Sequence, residues 1–296
     1  MKEFTCPGLP ASWVNGWLAA VGATVLSPEL RLRWTTGGTP CAVLCAREGE
    51  PVSLLADSWP SRAQLESMPI KRTWPDVEAM PRNVPVDAFA KRIAAVRGEP
   101  LAWTLSSTVT DLHVDDKGNV AHAPFDPPVP RGYVMHDRLL RIYFEPSAER
   151  LGQTLEGTGE RIESNGLGFD IARMGSAADN ASKWVDPVVE TLAFFGLALL
   201  PVRGQGTDAG LGRSVRPSTI QRGWVRENEP RARPRFVWPA WTSPLDSPAI
   251  DALLDVWRAE SRASWPSVGI HAAWRSVSYE AKSTSDTTRG YGSERI

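Results

Sequence analysis

The stretch TDLHVDDKGNVAHAPFD, Thr110 to Asp126, gathers the side chains best suited to chemistry. Asp111, His113 and Asp115 alternate with other residues, and His122 and Asp126 follow the turn signal DDKGN. On a strand alternate residues share one face, so the first three would line up and a returning strand would bring His122 and Asp126 beside them. Carboxylates and imidazoles grouped in this way can hold a divalent cation and activate water for phosphodiester hydrolysis. A charged hairpin edge facing solvent shows the same alternation, so a metal-dependent nuclease and a plain sheet edge both stand at this point. His136, in MHDRLLR, has no nucleophile-elbow serine or cysteine motif to accompany it and reads as a surface histidine.

A second chemistry lies in residues 203–235. Arg203, Arg213, Arg216, Arg222, Arg226, Arg231, Arg233 and Arg235 face only Asp208, Glu227 and Glu229, an excess of five positive charges in a chain whose formal net charge is -1. The guanidinium fork suits bidentate contact with phosphate, and a glycine-containing arginine segment suits a nucleic-acid backbone, where charge counts for more than fixed geometry. Arg203, Arg213, Arg216, Arg222 and Arg226 are the expected contacts, with Trp224 as a stacking platform for an unpaired base. An arginine-rich surface loop with no ligand has the same composition. The segment GQGTDAGLGR, Gly204 to Arg213, lacks the lysine and serine or threonine of a phosphate loop and follows an apparent helix, so neither a P-loop nor a dinucleotide turn is expected, and no cofactor is implied.

These residues need a scaffold, and the chain has the length for one: 296 residues bury a sizeable core without disulfide or metal staples. Trp13, Trp17, Ala20, Val21 and Thr24 recur at helical spacing, with Ser12 as the expected N-cap and Pro28 beyond the end. LRLRW, TTGGTP and CAVLCA then read as strand, turn and strand. The chain is therefore expected to open helix, strand, strand. PVDAFAKRIAAVRG looks helical, LAWTLSSTVTDLHVDDKGNVAHAPF reads as strands joined by the tight turn DDKGN, and PFDPPVPRG must be a loop.

In KWVDPVVETLAFFGLALLPVRG, Asp186 caps, Pro187 opens the first turn, and Val188, Leu192, Phe195 and Leu199 form an apolar stripe. Asp186 and Glu190 leave too short an apolar run to cross a bilayer, so this is a buried helix, and Gly196 within it points to close packing. FVWPAWTSPLDSPAIDALLDVW reads as a strand, a proline-punctuated turn and a helix capped by Ser247, with Pro248 at its first position and Ile250, Leu253, Leu254 and Trp257 inward. The polar tail is expected to fray. The expected class is α+β, with mixed or antiparallel sheets and packed helices forming two lobes of one compact unit. The lobes run 1–145 and 146–280, with the basic loop at 203–235 and a flexible tail at 281–296.

Only six of the 33 basic residues are lysine. Near-neutral overall charge excludes a globally basic nucleic-acid binder and leaves local patches open. Cys6, Cys41 and Cys45 make an odd count without metal-ligand spacing, and MKEFTCPGLPASW does not read as a signal peptide. A reducing cytoplasm and core cysteines are therefore expected.

Two stretches resemble one family. CPGLPASWVNGWLAAVGATVLSPELRLRW resembles the proline-glycine leader, apolar helix and strand that open the large and companion subunits of type I-G (formerly I-U) CRISPR effector complexes. VDPVVETLAFFGLALLPVRG and FVWPAWTSPLDSPAIDALL resemble the E-x-L-A-x-x-G-L helix and the W-P-x-W-x-x-P-L turn and helix of the same proteins. The likeness covers about a quarter of the chain and no catalytic residue. It implies a bacterial antiviral setting and a companion subunit, binding guide RNA or target nucleic acid and other effector subunits and no membrane. Sequence would be read by base pairing while the protein grips backbone. A purely structural subunit docking through apolar faces is the remaining alternative.

Overall fold

A computed structural model describes residues 1–66, 135–164, 166–167, 184–199, 235–278 and 291–296, together with the backbone of short strands at 84–85, 109–114, 119–122, 220–221 and 224–225. The helix expected over PVDAFAKRIAAVRG lies outside these residues. The chain opens with strand β1 (Lys2–Pro10), helix α1 (Val14–Leu26), strands β2 (Leu30–Trp34) and β3 (Cys41–Ala46), and helices α2 (Pro51–Asp57) and α3 (Arg62–Glu66). The expected opening of helix, strand, strand is therefore corrected by a strand in front. The expected hairpin is present: β2 pairs antiparallel with β3, and β1 pairs with the other edge of β3, giving the order β1-β3-β2. Pro7, Gly8 and Pro10 obscure β1 in the sequence and are tolerated because it is an edge strand whose register shifts between Cys6 and Pro10.

Residues 14–24 of α1 are all buried, the signature of a helix apolar all round at the centre of a core. Ser12 does not cap it. Trp13 occupies that position without a side-chain hydrogen bond, and the Gly16 amide donates to Asn15 Oδ1 at 3.0 Å instead.

Further along come β4 (Val84–Pro85), β5 (Val109–Val114) and β6 (Asn119–His122) in a sheet of order β4-β6-β5, then α4 (Met135–Ile142) and α5 (Ala148–Glu156). A ribbon of β7 (Ile162–Glu163) and β8 (Trp184–Val185) leads into α6 (Pro187–Gly196) and a 3-10 turn at Leu197–Leu199. The five-stranded antiparallel sheet holds β9 (Ile220–Gln221), β10 (Trp224–Val225), β11 (Arg235–Trp241), β12 (Ile270–Ser278) and β13 (Tyr291–Arg295) in the order β13-β12-β11-β10-β9. The fold is thus α+β with antiparallel sheets. Helix α7 (Ser247–Val256) follows β11; its cap is Asp246, whose Oδ1 accepts from Ala249 N at 3.1 Å, one residue before the expected Ser247. Ile250, Leu253, Leu254 and Trp257 are buried as expected.

The end of the tail is also corrected, while residues 281–290 lie outside the described residues. Tyr291–Arg295 forms the edge strand β13, where Arg275 reaches across to Glu294 with Nε 2.7 Å from Oε1. A cross-strand ion pair at a sheet edge needs no apolar alternation, so composition alone misjudged it.

One cluster of buried residues runs through the described parts on both sides of the boundary expected at residue 145. Its centre is indole. Trp17 Nε1 donates to Pro239 O at 2.8 Å, Trp238 Nε1 to Ala11 O at 2.7 Å and Trp241 Nε1 to Leu32 O at 2.8 Å. The rings meet as well: Trp17 lies edge-on to Phe236 at 6.0 Å and to Trp241 at 6.4 Å, and Trp241 edge-on to Trp34 at 6.1 Å. Leu32 and Leu245 exchange backbone hydrogen bonds of 2.7 and 2.9 Å, tying the first sheet to the chain just beyond β11. Trp17, Trp238 and Trp241 thus bury large apolar surfaces while satisfying their one donor, whereas the buried Trp34 Nε1 has no partner among the described residues.

Candidate nucleic-acid interface and the elements that hold it

In the chain the basic segment follows α6 and ends at the first residue of β11, and both elements pack on α1. The α1–α6 contact is made backbone to backbone. A Cβ on Gly22 would stand 1.8 Å from Leu192 O, and one on Gly196 would stand 2.1 Å from Leu18 O. Any side chain at either position would force the helices apart, so the glycine expected to allow close packing does so, with a partner on the other helix. Every residue of α6 is buried. Among the described residues no helix is long and apolar enough to cross a membrane.

The start of α6 is held by its acids. Asp186 Oδ1 accepts from Val188 N at 2.9 Å as the expected cap, and its Oδ2 accepts from Thr154 Oγ1 of α5 at 2.9 Å. Glu190, 1% exposed, accepts from Leu167 N. An acid within a largely apolar helix is itself a sequence signal for a buried partner. The glycines fit the same arrangement: a Cβ on Gly159 would stand 2.2 Å from Asp186 Oδ2, and one on Gly8 would stand 2.3 Å from Thr154 O. Gly8 of the proline-glycine leader therefore lets β1 touch the end of α5.

Burial pushes the Asp186 carboxyl above the ordinary carboxylate range, against the opposing pull of Thr154, the Val188 amide and Arg150. A raised folded-state value means that the folded protein holds this proton more tightly than the unfolded chain. The contribution of Asp186 to stability therefore falls as pH rises from about 4 through its raised value. Asparagine keeps an acceptor for Val188 N and carries no charge. The melting temperature of Asp186→Asn relative to the native protein should accordingly improve as pH goes from 4 to 7, as followed by thermal circular dichroism. A difference that stays constant across that range refutes the assignment.

Of the expected contacts, Arg203, Arg213, Arg216, Arg222 and Arg226 lie outside the described residues. Trp224 lies in β10, where it pairs with Gln221 of β9 and with Phe236 of β11. Phe236 is fully buried and stacks on Trp238 at 5.5 Å. The backbone on either side of residues 222–223 is thus joined through β10 to the tryptophan core.

For the alternative cluster, β5 and β6 pair antiparallel as expected, and His122 is opposite Val109, two positions from Asp111. The register shifts between Thr110 and Val114, across Asp111 and His113, which interrupts the simple alternation assumed from the sequence. Asp115 lies outside the described residues. Among the described residues no three His, Cys, Asp or Glu side chains gather as a metal ion requires.

The cysteines are free thiols. Cys6 and Cys45 are buried and Cys41 is half-buried; desolvation raises the Cys6 thiol and pushes Cys45 up to about 11, so these two are packing residues and poor nucleophiles. Cys45 Sγ lies 3.6 Å from Glu3 Oε1, a carboxylate that Arg33 grips through Nε at 3.1 Å and Nη2 at 2.7 Å.

No family model matches the sequence, and no curated protein matches it significantly.

Proposed function

We propose that this protein is a non-catalytic, nucleic-acid-contacting subunit of a CRISPR-type antiviral effector ribonucleoprotein. In this reading it grips guide RNA or target backbone through Arg203, Arg213, Arg216, Arg222 and Arg226, with Trp224 beside them. The observation that carries the reading is the concentration of eight arginines against three acids in residues 203–235 of a nearly neutral chain. In the chain it lies between α6 and β11, both packed against α1, and its excess of positive charge suits a polyanion. The resemblance of the leader, the α6 stretch and the W-P-A-W segment to type I-G subunits supplies the setting. The test is binding of labelled single-stranded RNA and DNA by fluorescence anisotropy at low salt. Arg216→Ala/Arg222→Ala should weaken binding by tenfold or more while leaving the melting temperature unchanged. Equal binding by the native protein and the double variant refutes the site.

The antiparallel pairing of β6 with β5 puts His122 on the strand beside the one that carries Asp111 and His113, and this supports a second reading as a metal-dependent nuclease using Asp111, His113, Asp115 and His122. Under the first reading, incubation with magnesium or manganese leaves RNA and DNA intact. Cleavage that is lost in Asp111→Ala/Asp115→Ala establishes the second.

A further inference from the structure

We draw no further inference here: the strongest candidate, the buried acidic pair Asp186 and Glu190 at the start of α6, is engaged by Thr154 and the amides of Val188 and Leu167, and nothing else among the described residues points to a ligand there.

Discussion

Alanine at Gly196 is expected to destabilise the protein by about 3 kcal/mol, near the upper end of overpacking costs, although the same change in an unobstructed helix is favourable. The sign follows from two opposed effects. Alanine gains about 1 kcal/mol of helix propensity over glycine. Its methyl group, however, would stand 2.1 Å from the Leu18 carbonyl oxygen, and a backbone atom in the middle of α1 cannot swing aside as a side chain can. The helices must separate, and the buried faces of both lose contact along their length. Gly152 supplies the control. It lies inside α5, and a Cβ there would meet only Val52 Cγ1 at 4.0 Å, so Gly152→Ala should stabilise by up to about 1 kcal/mol. Urea denaturation of both variants makes the comparison: midpoints moving in opposite directions support the close crossing, and a neutral or stabilising Gly196→Ala contradicts it.

The second large effect is expected at Trp17. Trp17→Phe keeps an aromatic ring among Phe236 and Trp241 but removes the N–H that reaches Pro239 O at 2.8 Å and leaves unfilled volume in a site with no solvent exposure. A buried hydrogen bond with its desolvation cost is worth about 1–3 kcal/mol, and the cavity adds to it, for a total of about 3 kcal/mol. The consequence reaches beyond α1, because the bond joins residues 222 positions apart and fixes β11, the strand that ends the basic segment. Near-UV circular dichroism should report the change, with native tryptophan bands weakened and the unfolding midpoint lowered together. A loss of stability below 1 kcal/mol would place the tie between α1 and β11 elsewhere.

The parts of this fold legible in the sequence are those where a local rule and the tertiary structure agree. Trp13, Trp17, Val21 and Thr24 announced α1 because a core helix shows its spacing whatever it packs against. Asp186 and Pro187 announced the start of α6 because capping is chemistry within one turn. What failed was decided by neighbours distant in sequence. Strand β1 carries two prolines and a glycine that are acceptable only because it is an edge strand and because Gly8 must touch the end of α5. Strand β13 is polar because Arg275 meets Glu294 across the ladder. The cap of α7 moved by one residue because Asp246 and Ser247 are both good caps and proline fits either of the next positions.

The candidate interface divides along the same line. Charge is a sum over residues and was fully visible in the arginine count of 203–235, whereas an arginine segment has no period from which side-chain geometry can be read. The structure adds its mountings: α6 held to α1 through Gly22 and Gly196 on one side, and β11 held through Trp17 and Phe236 on the other. Trp224 illustrates the difference, since its type marked it as a stacking platform while its register joins it to Phe236.

If the arginines of 203–235 grip a nucleic-acid backbone, as proposed, binding must depend steeply on salt. The observed binding constant for a single-stranded oligonucleotide should fall linearly with salt on logarithmic axes. Arg216→Ala/Arg222→Ala should make that slope shallower by about 1.4, the release of counterions from two phosphates. The shallower slope should come at an unchanged melting temperature; a native slope near zero, or equal slopes for the two proteins, would show that these arginines do not hold the backbone.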